Sequence, residues 1–133
     1  MRALPILILL LTLGATLPGC ARTATLTNTT DAPIRASLER ELIGSGNRTL
    51  DAATILPDAT VTLGPVRIYT ERVTLNVTPA NNRGAIAIRE RLGFGDTELT
   101  VVPDEFSPAT IRLIEGPPDD SLLRKKEADQ PRK

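Results

Sequence analysis

Apolar and polar residues alternate in short runs along most of the chain, and turn-forming residues separate these runs. The segment 24–28 alternates apolar residues with threonines, and the segment 73–77 alternates valine and leucine with polar residues in the same way. A period of two places successive side chains on opposite faces of a β-strand. The pattern therefore predicts strands that bury one face.

Further runs of this kind predict an all-β protein, a small antiparallel β-sandwich of seven or eight strands. Threonine and other β-branched residues are frequent, and such side chains pack well on a pleated sheet but lose rotamer freedom in a helix. The predicted turns that separate the strands lie at 28–31, 44–47, 56–58, 64–65, 79–84, 93–96 and 103–108.

Segment 31–43 is compatible with either of two structures. Ile34, Ala36 and Leu38 alternate with polar residues, which favours a strand. The same segment begins with an aspartate and a proline, repeats an apolar residue every four positions and is followed by Gly44, which is also the pattern of a short capped helix. We favour the strand.

The first 19 residues differ from the rest of the chain. Arg2 provides a positive charge, and residues 3–16 form an apolar stretch that is shorter than the roughly 20 residues needed to span a bilayer. This combination predicts a signal peptide over residues 1–19, with its apolar part forming a signal helix.

The end of this leader, Leu17-Pro18-Gly19-Cys20, resembles the lipobox of bacterial lipoproteins. The resemblance implies cleavage between Gly19 and Cys20 and attachment of a diacylglyceryl group to the Cys20 thiol. Two or three acyl chains would make membrane attachment effectively permanent. Ala21 follows the cysteine, which by the same resemblance implies sorting to the outer membrane, facing the periplasm.

The domain organisation follows from these patterns. The final segment is polar and highly charged, and such a segment buries too little apolar surface to offset the entropy of ordering. We therefore expect four regions: a signal peptide at 1–19, a lipidated N-terminus and short tether at 20–22, a β-sandwich at 23–115 and a disordered tail at 116–133.

The order of strands and turns over roughly residues 23–114 resembles the immunoglobulin-like sandwiches of small envelope lipoproteins. The resemblance rests on a Leu-Pro-Asp turn at 56–58 before a Val-Thr-Leu strand, and on a later Val-Thr-Leu-Asn-Val strand at 73–77. The chain lacks the paired cysteines and core tryptophan of true immunoglobulin domains. The resemblance thus implies a fold and little about function.

Composition excludes several classes of function. The chain has 16 basic and 16 acidic residues, so it has no excess positive charge that would attract nucleic acid. It has no histidine and one cysteine, so it cannot build a His/Cys metal site or a Ser-His or Cys-His nucleophile pair by itself. We expect no catalytic residues, no metal site and no cofactor.

Two groups of charged residues are candidates for binding. Asp96, Glu98, Asp104 and Glu105 lie in predicted neighbouring loops, where they are candidate ligands for Ca²⁺ or an acid and base pair of a hydrolase. The interpretation we favour is that these carboxylates are solvated in turns.

Arginines form the second group. Arg89 and Arg91 are predicted on one face of a strand, with Glu90 on the other, and Arg83 lies in the preceding loop. They are a candidate patch for an anionic ligand, but we favour cross-strand pairing with glutamates. The candidate partners are Glu39, Glu41 and Glu98.

The function that fits these observations is a non-catalytic module attached to a membrane through the lipid at Cys20. With so few reactive groups, the domain is expected to bind an envelope protein partner by a sheet face, loop tips or an edge strand. The alternatives are a carrier of a cation or small ligand that uses the acidic loops, and a carboxylate-dependent hydrolase.

Overall fold

A computed structural model of the protein describes residues 20–107, 110–121 and 124. The predicted signal peptide, including its helix and Gly19, lies outside the described residues, and so does most of the predicted tail. The described part of that tail begins attached to the domain, because the amide of Gly116 donates a 2.8 Å hydrogen bond to the carbonyl oxygen of Glu98.

The all-β prediction is confirmed for the described residues, which form eight strands. Segment 31–43, for which the sequence allows a strand or a helix, contains the second strand. The strands are β1 (Arg22–Asn28), β2 (Ile34–Leu42), β3 (Gly46–Ile55), β4 (Thr60–Val66), β5 (Val73–Pro79), β6 (Ile88–Arg91), β7 (Gly95–Pro103) and β8 (Ile111–Glu115).

The strands form two four-stranded sheets around one apolar core. The first sheet has the order β4-β1-β7-β8, and the second has the order β3-β2-β5-β6. Both sheets contribute to the core, as the period-two pattern predicts. The fully buried large apolar side chains are Leu26, Ile34, Leu38, Ile55, Leu63, Val73, Leu75, Val77 and Val101.

The prediction of a purely antiparallel sandwich is wrong at one pair, because β1 and β7 run parallel. Strand direction reverses at each connection, so all odd-numbered strands run in one direction and all even-numbered strands in the other. β1 pairs with even-numbered β4 in antiparallel fashion and with odd-numbered β7 in parallel fashion. A local turn pattern cannot show which strands distant in sequence become neighbours.

Two predicted boundaries also differ from the structure. The predicted loop at 93–96 is shorter, because the amide of Gly95 donates a 2.8 Å hydrogen bond to the carbonyl oxygen of Ala21 and starts β7 there. Asp96 consequently lies in a strand, paired with Thr23 of β1. Ile86, predicted in a strand, lies before β6 and is almost fully exposed.

The predicted bend at 64–65 lies inside β4, where the chain passes close to β1. A Cβ atom on Gly64 would lie 2.7 Å from the carbonyl oxygen of Arg22, and Gly64 has a φ of +97°. The carboxylate of Asp51 in β3 accepts a 2.9 Å hydrogen bond from the Gly64 amide. This contact joins the neighbouring edges of the two sheets.

Candidate functional site

The two ends of the sandwich differ in their relation to the N-terminus. β1 starts next to Cys20, and we call this end of the domain the basal end; the opposite end, where β1 stops at Asn28, is the distal end. The basal connections are 43–45, 67–72 and 92–94. The distal connections are 29–33, 56–59, 80–87 and the described residues 104–107 and 110.

The structure does not bring the four candidate carboxylates together. Asp96 and Glu98 are exposed on one face of β7, where they pair with threonines of β1 toward the basal end. Asp104 follows β7 at the distal end, eight residues beyond Asp96, which is roughly 26 Å along an extended strand. Glu105 lies beside Asp104 in the same distal connection.

Asp104 also has local partners. Its carboxylate accepts hydrogen bonds from the amide of Phe106 at 3.2 Å and from the hydroxyl of Thr110 at 3.1 Å. Within the described ranges, no group of three or more His, Cys, Asp or Glu residues is placed to hold a metal ion. The Asp96–Glu98 pair and the Asp104–Glu105 pair thus do not share a site.

The arginines of β6 lie on the outer face of the second sheet. Arg89 pairs with Asn76 of β5, and Arg91 pairs with Thr74, whereas Glu90 pairs with the core residue Leu75. The two arginines therefore share a face that Glu90 does not, as the sequence predicts.

The predicted cross-strand ion pairs with glutamates are not formed. Glu39 accepts hydrogen bonds from Ser37 and Asn47, and Glu41 accepts one from Thr74. A salt bridge is instead formed between Arg40 and Glu71. The prediction is wrong because β5 lies between β2 and β6. Glu39 of β2 pairs with Thr74 of β5, and Thr74 pairs on its other side with Arg91 of β6.

A polar depression of about 500 Å³ lies at the distal end of the second sheet. Arg35 of β2 and Thr78 of β5 are paired neighbours on its floor, and the connection after β5 forms its rim. Residues Arg35, Thr78, Ala80, Asn82, Arg83 and Ala85 line it. We call it the distal depression; the described residues that line it include two arginines and no carboxylate.

Hydrogen bonds hold the rim of the distal depression in place. The amide of Ala80 donates to the carbonyl oxygen of Pro33 at 2.9 Å, which ties the rim to the start of β2. Asn82 accepts from Gly84 through its side chain at 3.1 Å and from Ala85 through its carbonyl at 3.2 Å. Residues 82–85, which include Arg83, thus form a hydrogen-bonded turn.

A buried acceptor without a partner lies next to the distal depression. Asn76 is two residues before Thr78 on the same face of β5, and it is 8% exposed. Its Oδ1 atom is buried and accepts no hydrogen bond. Because this atom is buried, the polar groups that this face presents to solvent are the guanidinium donors of Arg35 and Arg89.

The distal end also exposes large apolar side chains. Leu56, Ile86 and Phe106 come from three different distal connections, and each is more than half exposed. Arginine and aromatic residues are enriched at protein–protein interfaces and among their most important contacts. The distal end combines both kinds of residue.

Sequence reasoning did not single out Arg35. Its position in an alternating strand predicts that it points outward, but its neighbours are set by the pairing of β2 with β5, about 40 residues further along the chain. The sequence indicates Arg83 as a candidate, and the structure places it with Arg35 on the lining of the distal depression.

The predicted lipidation residue lies at the opposite end of the domain. Cys20 is exposed and unpaired, and only Ala21 separates it from β1. In the described part of the chain, no helix has the length and apolar character needed to cross a membrane. Comparison with protein-family models, with curated proteins and with solved structures finds nothing significantly similar to this chain.

Proposed function

We propose that the mature chain is a lipid-anchored protein of the cell envelope whose β-sandwich binds an acidic surface of a protein partner through its distal end. The observation that carries this proposal is the distal depression, where Arg35 and Arg83 line a common space and neither forms a salt bridge with a described carboxylate. A partner carboxylate would accept charge-assisted hydrogen bonds there.

A protein partner fits this surface better than a simple anion does. An anion supplies acceptors only, which would satisfy the arginines but leave the apolar side chain of Ile86 exposed to water. A polypeptide supplies both carboxylates and N–H donors. It also supplies apolar groups for the exposed side chains of Ile86 and Phe106.

The attachment to a membrane is supported by the sequence of the leader. The sole cysteine of the chain follows a positive residue, an apolar stretch and the Leu17-Pro18-Gly19 triplet. The exposed position of Cys20, just before the first strand, leaves the thiol accessible for acylation. With Ala21 next to it, we propose an outer-membrane location facing the periplasm.

The immunoglobulin-like character of the sandwich is part of the proposal. Its second sheet consists of two hairpins joined through β2 and β5, which resembles the immunoglobulin sheet that contains strands C, F and G. β1 pairs with β4 as strand B pairs with strand E. The β7–β8 hairpin, with β7 parallel to β1, is an addition to that pattern.

We propose a binding role without catalysis. The chain has no histidine, its sole cysteine is assigned to the lipid, and its candidate acids are spread over both ends of β7. Such a domain can act through the shape and charge of its surface, which suits recognition.

Photo-crosslinking in intact cells tests the proposal. A photoreactive amino acid at Asn82, which lies on the rim of the distal depression, is expected to capture a specific partner. The same group at Arg48, an exposed residue near the basal start of β3, is expected not to capture it.

Charge reversal then tests the arginines. Arg35→Glu combined with Arg83→Glu is expected to weaken binding of the captured partner by about tenfold or more, which corresponds to at least about 1.4 kcal/mol. Arg48→Glu, at the basal end, is the matched control and should leave the dissociation constant unchanged. Equal binding by all three proteins would contradict the proposal.

A further inference from the structure

The link between Cys20 and the folded domain is unusually short. β1 begins at Arg22, and the carbonyl oxygen of Ala21 already accepts a 2.8 Å hydrogen bond from Gly95. Consecutive Cα atoms are about 3.8 Å apart, so the Cα atom of Cys20 lies at most about 7.6 Å from that of Arg22. A lipid on Cys20 would therefore hold the basal end close to the membrane surface.

An exposed aromatic pair occupies this basal end. Tyr69 and Phe94 come from two different basal connections, and their rings stack with centroids 6.4 Å apart and planes inclined by 24°. The side chains are 59% and 55% exposed. These rings leave apolar surface in contact with water, and an interface with lipid would cover it.

Contacts with Arg22 hold the aromatic pair in place. The guanidinium carbon of Arg22 lies 4.4 Å from the centre of the Phe94 ring, and the same guanidinium donates a 3.0 Å hydrogen bond to the carbonyl oxygen of Glu71. The carboxylate of Glu71 in turn accepts a 2.7 Å hydrogen bond from Arg40. Because these contacts fix the rings before any contact with lipid, little conformational entropy remains to be lost on docking.

Other exposed side chains at the basal end are also suited to contact with a membrane. Ile43 is fully exposed in the turn between β2 and β3. Arg67 and Arg72 are exposed at either end of the connection that carries Tyr69. Tyrosine is enriched at membrane interfaces, and arginine is attracted to anionic headgroups.

We infer that the basal end docks directly on the bilayer through Tyr69, Phe94 and Ile43, so that the anchor fixes the orientation of the domain as well as its location. The inference rests on the proposed lipidation of Cys20. β1 has seven residues, so the distal depression is held roughly 20 Å above the basal end and points away from the membrane.

The native protein contains its own probe for this contact. Tyr69 is the only tyrosine and the chain has no tryptophan, so intrinsic fluorescence reports on the basal end alone. The mature chain, residues 20–133, is coupled through its only thiol to a maleimide lipid in vesicles of phosphatidylethanolamine and phosphatidylglycerol. Some of the vesicles also carry a nitroxide on the lipid headgroup. Tyr69 emission should fall by at least half in the nitroxide vesicles, and unchanged emission would overturn the inference.

A matched pair of variants tests the orientation. Phe94→Trp places the probe at the basal end, and Phe106→Trp places it on an exposed distal connection. The tryptophan at position 94 should show a blue shift and quenching on the vesicles, whereas the one at position 106 should show neither. The same response at both positions, whether both shift or neither does, would overturn the inference.

The coupling step keeps this test separate from the proposed function. The maleimide lipid is attached chemically, so the fluorescence result does not depend on whether cells acylate Cys20. A domain that docks in vesicles but carries no lipid in cells would contradict the proposed lipoprotein, whereas a lipidated domain that fails to dock would contradict only this inference.

Discussion

The side-chain amide of Asn28 donates a hydrogen bond of 3.0 Å to the carbonyl oxygen of Ile55, and this bond joins the end of β1 in one sheet to the end of β3 in the other. The same amide donates to Ala32 at 2.9 Å. The side-chain oxygen accepts from the amide and the hydroxyl of Thr30, at 3.0 and 2.7 Å. Asn28 is fully buried, so these four bonds replace all of its contact with water.

We expect Asn28→Ala to lower the free energy of unfolding by roughly 2 to 4 kcal/mol, because removal of the amide leaves buried partners unpaired. Urea unfolding followed by circular dichroism measures the change. Asn81→Ala, in an exposed distal connection, is the matched control and should change stability by less than about 0.5 kcal/mol. Equal stability of the two variants would show that the Asn28 bonds do not hold the sheets together.

Gly64→Ala is expected to destabilise the protein by about 2 kcal/mol or more. The new Cβ atom would lie 2.7 Å from the backbone oxygen of Arg22, and the φ of +97° disfavours any side chain. Gly93→Ala is the control, since no atom lies within 4 Å of its Cβ position and its φ is not in the left-handed region. Thermal unfolding should separate the two variants, and a Gly64→Ala protein as stable as the parent would disprove the close approach of β4 to β1.

The pKa of Asp119 is lowered from its ordinary value of 3.8, because the hydroxyl and the amide of Ser121 both donate hydrogen bonds to its carboxylate. Since the pKa is lower in the folded protein, this contact is fully formed above about pH 3.8 and is lost as the pH falls through the folded-state value. A carboxyl NMR titration should show this midpoint below 3.8.

Ser121→Ala provides the control for this titration. It removes the side-chain hydrogen bond, which is the largest cause of the shift, so the pKa of Asp119 should rise toward 3.8. A midpoint for Asp119 that is the same in both proteins would mean that Ser121 does not stabilise the carboxylate.

The strands could be predicted from the sequence because their pattern is local. The alternation around Leu26 and Val77 is a direct consequence of a sheet with one buried face, and both side chains are fully buried. Asn28 carries a similar signal, since it continues the buried face of Ala24 and Leu26. A polar residue in that position indicates a paired group in the core.

The candidate site could be predicted only in part because its geometry is non-local. Arg83 and Arg89 are recognisable from the sequence, but the contribution of Arg35 depends on the pairing of β2 with β5. The separation of Asp96 from Asp104 likewise depends on where β7 begins. That start is set by the pairing of Gly95 with Arg22 of β1, which is distant in sequence.

Fatty-acid labelling of cells that express the full chain is the most direct test of the proposed membrane anchor. We expect the native protein to incorporate labelled palmitate, to lose the leader before Cys20 and to fractionate with the outer membrane. The Cys20→Ser variant should incorporate no label and should remain uncleaved or become soluble. Label that persists in the Cys20→Ser variant, or a native protein that carries no label, would contradict the lipoprotein assignment.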